Sequence, residues 1–241
     1  MKEAFLYMLK DNKIKEKAAI YFGIMFVATL LQNLSQYISS HNVSGTPTIQ
    51  TILLALSGFV ISFITTGYSI ICIKTIIEQK DNIVMPYINI KSFYPGLKYI
   101  ISLGLLSIVI YLILIPIYVI SAMVSKLIFL LCIIAIVLFV AAYLPVLTYI
   151  IATTGMWTSF FRIVRATKLI NSSKWQYWKN ALMICAIGIL IAVLTGIITY
   201  FSGNEISGII IQTLFTTAIS SYTVYVFAYL TAKSIKDESI E

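Results

Sequence analysis

The sequence predicts an all-α polytopic membrane protein, a bundle of six transmembrane helices with interfacial amphipathic helices beside them. Of its 241 residues, 60% are hydrophobic and only 11% are charged, whereas an average soluble domain is about 25% charged. A soluble chain of this length buries at most about 70–75% of its surface, which is too little for so many apolar side chains. Runs such as residues 128–140 are apolar without alternation, which favours helices over the strands of a membrane barrel.

Six apolar stretches are long enough to cross a bilayer, which requires about 20 largely apolar residues. The predicted spans cover residues 18–38, 50–77, 97–120, 127–151, 180–200 and 207–232. A basic, amphipathic N-terminal segment, residues 1–17, precedes them, and a polar tail, residues 233–241, follows. The first apolar stretch exceeds the 7–15 residues of a signal-peptide core, so we expect it to be retained as a span.

The basic residues predict the orientation of the chain in a cell membrane. Sixteen of the 17 Lys and Arg residues lie in four regions, residues 1–17, 74–98, 157–179 and 233–241. Only Lys126 lies in the remaining loops. The positive-inside rule therefore predicts that both termini and the two long loops are cytoplasmic. The predicted partner of these bases is a bilayer with anionic headgroups on its cytoplasmic side, and not nucleic acid.

Residues 157–169 combine an aromatic face with a basic face, which predicts a helix lying in the cytoplasmic interface. The candidate lipid-interface residues here and at the entry to the fifth span are Trp157, Phe160, Phe161, Arg162, Arg165, Trp175 and Trp178. The alternative is a coupling helix that docks a cytoplasmic partner. We favour an anchor, because such helices are common and a docking surface has no separate signature in this sequence.

Two spans carry polar side chains on one face. In the sixth span Gly208, Gln212, Thr216 and Ser220 are four residues apart and therefore share a face. In the first span Asn33 and Gln36 have matching depth. The candidate intramembrane polar contacts are thus Asn33, Gln36, Gln212 and Thr216. They indicate either hydrogen bonds between helices or a polar path for a substrate, and the first is favoured because no ionisable residue lies at mid-membrane depth.

Two further spans carry small residues four apart, a pattern that permits close helix approach. The series are Gly58, Ser62 and Thr66 in the second span, and Gly188, Ala192 and Gly196 in the fifth. They predict a packed bundle and no particular activity.

Several chemistries lack the residues that they need. The sequence has one histidine, His41, and three widely spaced cysteines, Cys72, Cys132 and Cys185. A histidine-based triad and a multi-histidine metal site are therefore excluded. The phosphate-binding P-loop motif GxxxxGK[ST] does not occur in the sequence. We predict no catalytic, cofactor-binding or metal-binding residue, no cofactor, and no enzymatic activity.

One stretch of the chain resembles a known family. Gly67-Tyr68 is followed by a charged turn at residues 78–82, then by Met85-Pro86, Phe93 and Gly96-Leu97. This order resembles the bacterial and archaeal membrane family named domain of unknown function 4013 (DUF4013), with Met85 in place of a leucine and Pro95 in place of an aspartate. The resemblance implies a multi-pass topology. It implies no activity and supplies no catalytic residues.

These observations lead to two hypotheses on function. The first is a non-enzymatic integral membrane protein that acts as a membrane subunit or scaffold. The second is a permease-like transmembrane subunit of an ATP-driven export or immunity transporter. Its energy would come from a separate cytoplasmic ATPase, since this chain has no room for an ATPase domain, and another membrane subunit is a further possible partner. A lipid-modifying enzyme is the weakest possibility, because acid–base groups are lacking.

Overall fold

The computed structural model is mainly helical over the residues that it describes, which are 11–40, 49–79, 84–124, 127, 131, 143–155, 158, 162–202 and 206–235. No strand occurs among them, so the predicted all-α class is confirmed. The helices are α1 (Ile14–Ser40), α2 (Ile49–Glu78), α3 (Phe93–Val124), α4 (Tyr143–Thr154), α5 (Ile163–Ser202) and α6 (Ile206–Lys233). A short 3-10 helix, Ile90–Ser92, leads into α3.

Five of these helices, α1, α2, α3, α5 and α6, are long and apolar enough to cross a membrane, which indicates a membrane protein. The fourth predicted span, residues 127–151, lies largely outside the described residues. Its described part is mainly the beginning of α4, a shorter apolar helix. Most of the N-terminal segment and of the polar tail also lies outside the described residues.

The described residues fall into two compact units. The first unit takes its residues from Met1–Leu97 and Ala186–Tyr229, and the second from Lys98–Cys185 and Leu230–Glu241.

In the first unit, α1 and α2 pack along each other through polar as well as apolar contacts. The Gln32 amide donates to the Ser62 hydroxyl at 3.0 Å, and the Ser35 hydroxyl donates to the Thr51 carbonyl oxygen at 3.1 Å. Gly58 lies against α1, where an added Cβ would stand 2.6 Å from Cγ of Gln32. The small-residue series of the second span therefore does mark a close helix contact.

The tightest contact of the first unit joins α2 to the beginning of α3. A Cβ on Gly67 would overlap the Ser92 carbonyl oxygen and stand 2.6 Å from the Gly96 nitrogen. A Cβ on Gly96 would overlap the Phe63 carbonyl oxygen and stand 2.8 Å from the Gly67 nitrogen. Two backbones thus meet here without side chains between them, a packing that only glycine permits.

In the second unit, two side chains donate to backbone carbonyls at the ends of other helices. Lys98 Nζ donates to the Gly155 carbonyl oxygen at 2.7 Å. Gly155 follows α4 with a φ of 65° and donates its N–H to Ile151, so it ends α4 as a left-handed cap. On α5, the Gln176 amide donates to the Lys233 carbonyl oxygen at 3.0 Å.

The structure differs from the sequence prediction along α5. A separate interfacial helix over residues 157–169 and a span over residues 180–200 are expected, but residues Ile163–Ser202 form one continuous helix of 40 residues. At about 1.5 Å per residue its length is roughly 60 Å, twice the hydrocarbon thickness of a bilayer. The change in hydropathy near residue 180 marks no break in the backbone.

The small-residue series of the fifth span is also corrected. Among the described residues, a Cβ added at Gly188 or Gly196 would meet no atom within 4 Å. Small residues four apart permit a close approach but do not supply the partner helix.

We predict that Gly67→Ala and Gly96→Ala each lower the free energy of unfolding, because the new methyl group would overlap backbone oxygen. Forcing extra atoms into a packed contact typically costs about 1–3 kcal/mol, and here the neighbour is backbone and cannot turn aside. Thermal unfolding of the purified protein in detergent measures the effect. Gly104→Ala is the matched control, since a Cβ there meets no described atom within 4 Å. Equal melting temperatures for all three variants would contradict the contact.

Candidate functional site

A buried ion pair at the beginning of α1 is the main charged feature of the first unit. Lys17 Nζ stands 2.7 Å from Asp11 Oδ2, and the two side chains are only 3% and 6% exposed. Burying two charges is costly unless each is paired and its hydrogen bonds are satisfied. Both conditions hold here. Further hydrogen bonds come from residues 84–89, the described part of the chain between α2 and the 3-10 helix that leads into α3, which we call the connecting segment.

Met85, in that connecting segment, is bound at both of its backbone groups. Its N–H donates to Asp11 Oδ2 at 3.0 Å, and its carbonyl oxygen accepts from Lys17 Nζ. Asp11 Oδ1 accepts in addition from the N–H of Lys13 at 2.9 Å. The pair therefore fastens the connecting segment to α1 across more than 60 residues of sequence.

The surroundings of Asp11 shift its pKa. Burial alone would raise it, but the hydrogen bonds from Lys17, Lys13 and Met85 and the ammonium charge of Lys17 outweigh burial and hold the pKa below its ordinary value of 3.8. A carboxylate whose pKa is lower in the folded state stabilises the fold above its unfolded pKa. That contribution is lost as the pH falls from about 4 through the lowered value.

Three tyrosines lie next to this pair, one from each of α1, α2 and α6. The ring centroids of Tyr21 and Tyr68 are 5.2 Å apart, and those of Tyr68 and Tyr225 are 6.2 Å apart in an edge-to-face arrangement. The Tyr68 hydroxyl donates to the Pro86 carbonyl oxygen at 2.9 Å and is 3.2 Å from the Tyr225 hydroxyl. The connecting segment is thus held by the tyrosines as well as by the ions.

Each of the three tyrosines lies at the same distance, measured along its own helix, from the helix end that is remote from the ion pair. Nineteen residues separate Tyr21 from Ser40, Tyr68 from Ile49, and Tyr225 from Ile206. At about 1.5 Å per residue this distance is roughly 28 Å, close to the hydrocarbon thickness of about 30 Å. A hydrocarbon layer that begins at those far ends stops at the tyrosines, where amphipathic aromatic rings are favoured.

The predicted intramembrane polar contacts are only partly brought together. Asn33 Nδ2 donates to Thr213 Oγ1 at 2.9 Å, one residue beyond the expected partner Gln212. Gln212 is half-buried and Gln36 is exposed. Thr216 Oγ1 is buried with no hydrogen-bond partner among the described residues, as is Thr217 Oγ1.

The inward face of α6 is therefore rotated by one residue from the predicted stripe. Its buried positions four apart are Ile209, Thr213, Thr217 and Ser221. Adjacent residues differ by about 100° around a helix. A repeat of polar residues four apart therefore identifies a row along the helix, but it does not establish whether that row or the next one faces the protein.

The predicted lipid-interface residues are only partly described. Trp157, Phe160 and Phe161 lie outside the described residues. Arg162 precedes α5 and is exposed, and Arg165 lies in its first turn. Trp175 and Trp178 are 74% and 44% exposed on the same helix, as interfacial anchors would be.

Sequence reasoning missed the site at Asp11 and Lys17. Both residues look like ordinary members of a basic N-terminal segment, and their partner Met85 is distant in sequence. Gly67, Tyr68, Met85-Pro86 and Gly96, all of them singled out in the sequence, belong to the contacts described above, but their pattern does not point to Asp11 or Lys17.

The charged side chains of this arrangement bind backbone groups of the connecting segment. The Lys17 ammonium and the Asp11 carboxylate are occupied by each other and by Met85. Among the described residues, no three His, Cys, Asp or Glu side chains are placed to hold a metal ion. The geometry can fix a connecting segment.

We predict that Lys17→Met lowers the free energy of unfolding by about 3–5 kcal/mol, because it leaves the Asp11 carboxylate buried and unpaired. The matched control is Lys74→Met, since Lys74 pairs with Glu78 at 3.7 Å with both side chains more than half exposed. Breaking that pair should cost only about 0.3–0.5 kcal/mol.

Denaturant unfolding at pH 7 measures the free energy of unfolding of the two variants. In a second experiment, thermal unfolding of the native chain and of the Asp11→Asn variant is measured at pH 7 and at pH 3. Loss of stability between these pH values should be smaller for Asp11→Asn than for the native chain. Similar costs for Lys17→Met and Lys74→Met would show that the buried pair does not fasten the segment.

The chain matches no family model, no curated protein and no solved structure. The buried pair, the tyrosines and the glycine contact therefore take no function from likeness to another protein. Their function has to be argued from the contacts that they make.

Proposed function

We propose that the protein is a non-enzymatic integral membrane subunit or scaffold. The observation that carries the proposal is that, over the part of the chain that the structure describes, most buried polar groups bind one another or the backbone. Gln32 and Asn33 bind hydroxyls of α2 and α6, and the Asp11–Lys17 pair binds Met85. Side chains used in this way hold helices and connections together, and few are left to act on a substrate.

We propose further that the tyrosine ends of the helices face the cytoplasm of a cell. The ends near Lys17, Lys74, Lys98 and Lys233 carry the bases that the positive-inside rule places there. Both termini are then cytoplasmic, and the exposed bases face anionic lipid headgroups.

We predict that cysteines placed at His41 and Asn204 in a cysteine-free background react with an impermeant maleimide added to intact cells. A cysteine at Asn82 should react only after the membrane is opened. Labelling of Asn82 from outside, or protection of both other positions, would reverse the orientation.

The runner-up is the permease-like subunit of an ATP-driven export or immunity transporter. One observation favours it, namely that α5 is about twice as long as the hydrocarbon layer and carries exposed Trp175 and Trp178 in its first half. Such a helix could present a docking surface to a separate cytoplasmic ATPase. The unpartnered hydroxyls of Thr216 and Thr217 are the polar groups that a substrate path would use.

Membership of the DUF4013 family stays a proposal. Its support is that Gly67, Tyr68, Met85-Pro86 and Gly96, which are among the residues quoted for the resemblance, take part in contacts around the connecting segment. Since the resemblance implies no activity, it adds nothing for or against either function.

We predict that Asn33→Ala and Thr213→Val destabilise the protein by about 0.6 kcal/mol each, the average for a hydrogen bond between membrane helices. The double variant should cost less than the sum, because the two side chains share one bond. Thr216→Val and Thr217→Val are the matched changes, and they should leave stability unchanged or raise it, since each removes an unpartnered hydroxyl. Strict additivity of the first pair would show that Asn33 and Thr213 do not bind.

The same variants separate the two functions. A subunit or scaffold should keep its co-purifying partner, and restore the phenotype of a deletion strain, when Thr216 and Thr217 are both valine. If the folded double variant fails to restore that phenotype, or if the stoichiometric partner is an ATPase, the transporter subunit replaces the scaffold.

A further inference from the structure

A groove of about 440 Å³ opens between α1 and α2 beside the connecting segment. Gly23, Ile24 and Val27 line it from α1, Ile61 and Ile64 from α2, and residues 88–90 close one end. Asn89 is the polar residue among them, and its side chain is already used, since Oδ1 accepts from the N–H of Lys91 and Nδ2 donates to the Tyr87 carbonyl oxygen. The groove therefore suits an apolar occupant.

The depth of the groove follows from the tyrosine level. Gly23 and Val27 lie two and six residues beyond Tyr21, and Ile64 and Ile61 lie four and seven residues before Tyr68, towards the far ends of the helices. At about 1.5 Å per residue the groove extends from roughly 3 to 10 Å inside that level. A hydrocarbon layer bounded by the tyrosines has its outermost acyl carbons at this depth.

The size of the groove distinguishes between apolar occupants. One turn of an α-helix, about 11 Å wide and 5.4 Å long, fills about 500 Å³, so the groove, at about 440 Å³, does not enclose a turn of a partner helix. It has the volume of a small-ligand pocket, for which about 300–1,000 Å³ is usual. A single flexible hydrocarbon chain meets both conditions.

The rim adds a basic residue beside the groove. Lys91 is exposed and follows Ile90, which is itself 80% exposed. An exposed isoleucine next to an exposed lysine, at the level where headgroups begin, is the composition of an interfacial lipid contact. The ammonium is complementary to the charge of an anionic headgroup.

We propose that this groove binds one acyl chain of an anionic phospholipid, with Lys91 at the headgroup. The site holds a lipid in a fixed position between α1, α2 and the connecting segment, in contrast to the exchanging lipid around the other helices. It depends on the membrane location of the helices and not on whether the protein is a scaffold or a transporter subunit.

The test is photolabelling of the full chain in phosphatidylcholine vesicles that contain a small fraction of phosphatidylglycerol with a photoreactive acyl chain. Mass spectrometry maps the labelled residues. We expect residues 23–27 and 61–64 to be labelled several-fold more than the exposed apolar residues 189–197 of α5. Gly23→Leu should abolish this excess, because a side chain there enters the open groove. Gly104→Leu, at a glycine with equally open space outside the groove, should not.

Val27→Phe narrows the groove from a second position and should also remove the excess labelling, which keeps the test valid if Gly23→Leu fails to fold.

A second comparison tests whether binding depends on the charge of the headgroup. The photoreactive phosphatidylglycerol is replaced by phosphatidylcholine with the same photoreactive acyl chain. Lys91→Gln should reduce the preference for the anionic lipid about fivefold, as expected for the loss of one base near the surface. Groove labelling no greater than that of residues 189–197, or unaffected by both filling variants, overturns the acyl-chain site. Equal labelling by the two headgroups overturns the role of Lys91.

Discussion

The structure of the first unit depends on the buried ion pair of Lys17 with Asp11. Both side chains are buried where α1 begins, and Met85 supplies a donor to Asp11 and an acceptor to Lys17. By binding both backbone groups of one residue, the pair fixes the position of the connecting segment. Pro86 then meets Tyr68, the 3-10 helix meets Gly67, and the direction in which α3 starts is set.

The bilayer supplies the second constraint, through helix length. Three helices measure about 28 Å from their tyrosines to their far ends, and α2 continues past Tyr68 to the exposed Lys74–Glu78 pair. The connecting segment folds back along this extra length of α2 and is held at the level of the tyrosines. A groove bounded by two spans and a fixed connection at that level is where a bilayer would present an acyl chain.

Much of the fold can be predicted from the sequence, because span length and apolar composition are strong local signals. The rest depends on contacts that local patterns do not encode. Asp11 and Lys17 lie in a segment that reads as solvated bases, since their partner is remote. The row of α6 that faces α1 is the neighbour of the predicted one, and Thr213 takes the bond expected for Gln212. Residues 163–202 contain no proline, so the backbone continues as one helix where hydropathy alone suggests two elements.

Hydrogen exchange of the Met85 amide tests the central claim most directly, because that N–H is the group by which Asp11 holds the connecting segment. The measurement follows single amides of the full chain in lipid nanodiscs. If the buried pair fastens the segment, the Met85 amide exchanges as slowly as amides inside α1, although no regular helix contains it. Exchange as fast as that of an exposed loop would show that the segment is free of α1, and would contradict the account.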